Sequence, residues 1–146
     1  MNNVYAVKDI KFSISTAGRG GQRPADFAPV TGMDTFTVTF DNGMDEWNPL
    51  DEGGWTRRMI TTKSLTIGLS GKRVYGCGGN DYVAGLAYKA GTDAQTMLFA
   101  KFPCGDELLM PCTVNVTSAG GGGAADVAVL EFDCQSDGAP VYTKGV

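Results

Sequence analysis

Four kinds of residue group in this chain have the types and spacing at which chemistry could be sought. The cysteines Cys77, Cys104, Cys112 and Cys134 contain no CxxC spacing, so neither a zinc site nor a redox dithiol has a frame. The carboxylate pairs Asp45-Glu46 and Asp51-Glu52 could in principle divide acid and base roles as in a glycosidase. They lie in a turn-rich segment, however, where charges are ordinarily just solvated. The glycine runs GRGG (18–21) and GCGG (76–79) lack the Lys-Ser/Thr that follows a phosphate loop. GCGGND does open a helical pattern, which leaves an anion site at a helix terminus geometrically open; a turn and a cap explain it more simply. The stretch DNGMDEWNPLDE has no glycine at its sixth position and so is not a calcium loop. The chain has no histidine. That removes Ser-His-Asp and Cys-His arrangements, His-bearing zinc sites and the commonest base near neutral pH. The expectation is a non-enzyme with no catalytic residue, metal or cofactor.

The segment from Asp41 to Arg58 carries a different kind of signal. It holds both tryptophans, Trp47 and Trp55, among turn residues and charges, followed by Arg57-Arg58. Tryptophan and arginine are the residues enriched at interface hot spots. A hairpin with such a tip, projecting from a small domain, would expose apolar surface unless another chain covered it. Trp47, Leu50, Trp55, Arg57 and Arg58 are therefore candidate inter-subunit contacts. The competing reading is that the hairpin folds back onto its own core.

These groups must be positioned by a chain of 146 residues, a length that fits one domain, residues 1–146. At 42% hydrophobic and 19% charged residues the composition is that of a globular protein. Its 21 glycines point to many turns rather than long helices. With 12 basic and 16 acidic residues the net charge is −4, which argues against gripping nucleic acid through its phosphates. The opening MNNVYAVKD lacks a basic start followed by an apolar run, so no secretory signal and four reduced cysteines are expected. No apolar stretch approaches the ~20 residues of a membrane span.

Two-residue alternation dominates the chain. Strands are predicted over Ala6–Ser15, Thr35–Phe40, Thr56–Ile60, Lys63–Lys72, Gln95–Phe102, Glu107–Ser118 and Ala125–Gln135, with a short one in the tail. Phe36, Val38 and Phe40 are expected to face inward, as are Leu65, Ile67 and Leu69. Asn42-Gly43 reads as a hairpin turn, with a second turn at Gly53-Gly54. Pro111 predicts an edge or bulge. One segment has helical period: Val83, Leu86 and Ala87 predict a helix over Asp81–Ala90, capped by Asn80 or Asp81 and ended by Gly91. The sum is a mainly β fold, a small antiparallel sandwich or barrel with one short helix and a long hairpin over about residues 41–62.

Several stretches together resemble a family. NVYAVKDIKFSI, MDEWNPLDEGGWTRRM, LTIGLSGKRVYGCGGNDYVAGLAYKAGTD and LEFDCQSDGAPVYTKG, in this order, look like a bacteriophage major tail protein, the tail tube protein of long-tailed phages and prophages. The resemblance covers nearly the whole chain. It implies a self-assembling virion protein: hexameric rings whose inner strands join into a β-barrel, stacked into a tube that conducts DNA to the host. It also implies that the hairpin bridges subunits, that tape measure and other tail proteins are partners, and that assembly occurs in the host bacterial cytoplasm without a membrane. DNA should pass without specific binding, so acidic strand faces bearing Glu107, Glu131 and Asp133 are candidates for the lumen. Alternatives are another tail component of the same fold (a terminator or baseplate hub), a secretion-tube homologue, or a β-sandwich that binds glycans.

Overall fold

The computed structural model describes residues 3–23 and 25–145. After a 3₁₀ turn at Val7–Asp9 come β1 (Lys11–Ser15), β2 (Phe27–Pro29), β3 (Met33–Trp47) and β4 (Arg57–Lys72). The one α-helix among the described residues, α1 (Gly78–Leu86), precedes β5 (Gln95–Lys101), β6 (Glu107–Ala119), β7 (Val129–Ser136) and β8 (Val141–Thr143). All pairings are antiparallel, in the order β2-β1-β5-β6-β7-β4-β3, with β8 added to β6.

The alternation in the sequence sets the core. Leu65, Ile67 and Leu69 of β4, Leu108, Met110, Cys112 and Val114 of β6, and Leu130, Phe132 and Cys134 of β7 all face inward. Each such side chain contributes roughly 1.5–3 kcal/mol on burial. The sheet is rolled rather than flat. Four strands separate β1 from β3 in the sheet order, yet the rings of Phe12 and Phe36 lie 4.7 Å apart. Helix α1 plugs the rolled sheet with Val83 and Leu86. Its first turn comes so close to β2 that a Cβ on Gly79 would lie 2.4 Å from the Pro29 carbonyl oxygen. Glycine is required there.

A buried amide ties the helix to the sheet. Asn80 is fully buried; its Oδ1 accepts from Val74 N–H and the Arg73 guanidinium, both at 3.0 Å, and its Nδ2 donates to Thr31 and Lys72 carbonyls at 2.9 and 3.1 Å. Arg73 also pairs with Asp81 at 2.6 Å. Asn80 is thus a knot between the β2–β3 connection, the end of β4 and the helix.

Several expectations are corrected. The helix spans Gly78–Leu86, not Asp81–Ala90, and its N-cap residue is Cys77, without a side-chain cap bond. Neither Asn80 nor Asp81 caps it, because their side chains turn to Arg73 and the neighbouring backbone. Gly91 does adopt φ +64°, but beyond the helix, at a following 3₁₀ turn. The Asn42-Gly43 turn is absent: both residues pair within β3, opposite Lys63 and Thr62. A Cβ on Gly43 would lie 2.1 Å from Thr62 Oγ1, so this glycine serves cross-strand packing at an irregularity in register. The reversal comes later, between Trp47 and Arg57, and the two predicted strands 56–60 and 63–72 are one. Val38 and Phe40 pair with buried Ile67 and Leu65 but remain 42% and 60% exposed, since β3 is an edge strand beyond the reach of the helix. Pro111 lies in an interior strand. It sits where the partner on one side changes from β8 to β7, and its carbonyl accepts from Asp137 N–H at 3.0 Å.

Candidate functional site

From about Phe40 to Ser64, β3 and β4 leave the body as a two-stranded arm whose side chains are almost all exposed. At ~3.3 Å per residue the stretch from Phe40 to Trp47 extends about 23 Å. Register sorts its side chains. Met44 pairs with Ile60 and Glu46 with Arg58 on one face; Asp45 pairs with Met59 and Trp47 with Arg57 on the other. Large apolar residues therefore stand on both faces, and Met44, Trp47, Met59 and Ile60 are all exposed. At the tip Leu50 is fully exposed and Trp55 is 79% exposed.

All five candidate contact residues lie on this arm. Two of them are also tied within it: Arg58 Nε donates to Glu46 at 2.8 Å, and Arg57 reaches Glu52 at 3.3 Å. Such exposed pairs contribute little stability, about 0–1 kcal/mol, but they set which way the two arginines point. A two-stranded ribbon alone is marginal in water. The hairpin does not fold back on the core; Met44, Trp47, Met59 and Ile60 are covered only in part, by the ribbon itself, and Leu50 and Trp55 stay largely open. The sequence reading missed Met44, Met59 and Ile60. The adjacent apolar pair Met59-Ile60 was the available signal, because neighbours in a strand face opposite sides.

A second surface is the outer face of β3, β4, β7 and β6. Thr35, Thr37, Gly68, Ser70, Thr117, Glu131 and Asp133 line a shallow depression there. Thr37 and Asp133 converge over Gly68, whose Cβ would lie 2.6 Å from Thr37 Oγ1 and 3.2 Å from Asp133 Oδ1. Ser70 Oγ donates to Glu131 at 3.3 Å. From Thr35 to Asp41, Ser64 to Ser70 and Glu131 to Gln135 the outward positions hold hydroxyls, amides, glycine and carboxylates, with no cation. Glu131 and Asp133 are thus brought together. Glu107 stands apart near the other end of β6, opposite Lys101 and 3.7 Å from Arg23.

Several of the remaining chemistry-bearing residues have structural partners. Cys112 and Cys134 are buried on neighbouring strands, where their mutual hydrogen bond and burial hold the Cys134 thiol well above its ordinary pKa. All four cysteines are free. In the GRGG loop, Arg19 pairs with Asp137 at 2.6 Å. Asp106 accepts from the Tyr142 hydroxyl and from Gly145 N–H, clasping the C-terminal strand to β6. Among the described residues no group of three or more His, Cys, Asp or Glu side chains could hold a metal, and no helix is long and apolar enough to cross a membrane.

No protein-family model matches the sequence, and no curated protein matches it significantly. Solved structures do. A chain from the tail of an empty gene transfer agent particle, reconstructed with C6 symmetry, is similar with a TM-score of 0.73 at 18% identity, over 96% of this chain and 99% of that one. A chain of the sheath–tube complex of an extracellular contractile injection system gives 0.62 at 11% identity, over 99% and 94%. A chain of a sheath/tube terminator from such a system gives 0.61 at 12% identity, over 98% and 99%. The protein has the tail-tube fold along essentially its whole length.

Proposed function

We propose that this chain is the tube subunit of a phage-type tail, a structural protein whose copies form stacked rings, six to a ring, around a channel for double-stranded DNA. The reading rests on one observation above the others: 96% of its length matches, in fold, a chain from an assembled tail of sixfold symmetry. The physical features fit that role. The long edge strand β3 and the short edge β2 leave backbone groups open, and pairing around a ring removes that liability. The arm, apolar on both faces, needs neighbours on both sides. The stretch bearing Glu131 and Asp133, without a cation at the outward positions from Ser64 to Ser70 of β4, suits a lumen, because it offers phosphates no counterion and lets DNA slide. Tape measure and other tail proteins are the expected partners, in a tail assembled in the host bacterial cytoplasm.

Electron microscopy and sedimentation of the purified chain at rising concentration test this. Rings and open tubes are expected. A species that stays monomeric at every salt and protein concentration refutes it. The likeness to a terminator chain gives a second reading, a ring that ends a tube; assembly would then stop at single rings.

A further inference from the structure

Building on the tube reading, we propose that the acidic tip of the arm seats in the groove at the seam of the rolled sheet in a second copy, with Asp51 against Lys11 and Leu50 against the groove floor. The tip and the groove are opposite in charge and alike in apolar content. At the tip, fully exposed Leu50 is followed by Asp51 and Glu52; Glu52 is engaged by Arg57, whereas Asp51 has no cation within 4.0 Å among the described residues. The groove, of about 610 Å³, runs between the Val7–Ser13 segment and the Pro29–Phe36 segment. Its floor includes Phe12, Val30 and Phe36, and its charged lining is Lys8, Lys11 and Asp34, two cations against one carboxylate.

Neither lysine has a carboxylate within 4.0 Å among the described residues. Lys11 also stands opposite Lys101 across the β1–β5 ladder, a like-charge pairing that an incoming carboxylate would relieve. The carboxylate on that row, Glu107, is the one near Arg23. The tip cannot fill its own groove: Asp34 lies at the root of β3 and Trp47 at its far end, about 40 Å apart at ~3.3 Å per residue. The occupant must be another copy. Complementary patches at opposite ends of one chain make a head-to-tail contact, the geometry that closes rings or extends filaments.

Charge reversal tests the pairing. Asp51→Lys and Lys11→Asp should each raise the concentration needed for assembly about tenfold or more, since attraction becomes repulsion at a contact repeated in every copy. The double variant Asp51→Lys/Lys11→Asp should return to within about threefold of the native chain, a recovery that only a direct contact gives. Circular dichroism of the monomers should be unchanged, because both residues are exposed. Single variants that assemble normally, or a double variant that is not rescued, overturn this contact while leaving the tube reading intact. A native chain that never assembles overturns both.

Discussion

Replacing Trp55 by alanine should leave the monomer folded and weaken assembly. The side chain is 79% exposed and belongs to the turn of the arm, away from the core. Truncating it in the free chain should therefore change stability by no more than about 0.5 kcal/mol. A tryptophan of about 200 Å² exposed to that extent presents roughly 160 Å² to solvent. If half of that is covered in the assembly, the loss at ~25 cal/mol per Å² is about 2 kcal/mol per contact. That corresponds to about a 30-fold rise in the concentration for half-assembly. Thermal melts followed by circular dichroism, alongside sedimentation velocity over a concentration series, read the two effects separately. Unaltered assembly would show that the tip is not an interface. A collapsed melting temperature would show that Trp55 is core.

Three further outcomes follow from the body of the fold. Asn80→Asp keeps the shape but points an acceptor at the Thr31 and Lys72 carbonyls; with buried groups unsatisfied at about 1–3 kcal/mol each, a loss of about 3 kcal/mol and a melting temperature lower by about 10 °C are expected. A calorimetric shift below about 1 °C would contradict the knot. Gly85→Ala should stabilise by about 0.5–1 kcal/mol, measured by urea unfolding, because nothing lies within 4 Å of an added Cβ and the helix there is solvent-facing. The C-terminal clasp should depend on pH. The Tyr142 hydroxyl and Gly145 N–H hold Asp106 below its ordinary value of 3.8, so the clasp is present above that value and is lost as pH falls through the lowered one. Tyr142, pushed up from 10.0 to about 12 by Asp106, keeps its contribution below pH 10 and loses it as pH rises through about 12. Proteolysis of the C-terminal segment across pH checks both limbs, and Tyr142→Phe should weaken protection at neutral pH.

How much of this was legible in the sequence follows from which forces act locally. Leu65, Ile67 and Leu69, or Leu130, Phe132 and Cys134, announce strands because one face of each is buried against a single core, and the two-residue period survives intact. Val38 and Phe40 carry the same period but stay exposed: alternation reports which face a residue takes, not whether anything covers that face. Asn42-Gly43 has the chemistry of a turn, yet its glycine is there to leave room for Thr62 across the ladder, a contact between residues far apart in sequence. Asn80 looks like a cap and is a knot for the same reason, since its partners at Thr31 and Lys72 arrive only through the tertiary fold. The arm was visible as an anomaly, two tryptophans among turn residues and charges. Its double-sidedness required the register, which places Met44 with Ile60 and Met59 with Asp45. Glu131 and Asp133 share a face by simple alternation along β7, which the sequence does carry; that Glu107, on β6, lies apart from them beside Arg23 and opposite Lys101 depends on strand order and register.

A helical reconstruction of tubes grown from the purified chain tests the central claim most directly. The account predicts rings of six, with the face bearing Thr37, Ser70, Glu131 and Asp133 lining the channel and the arm covered by neighbours on both of its faces. A particle whose channel is lined instead by Lys8, Lys11 and Lys101, or whose arms stand uncovered in solvent, would contradict it.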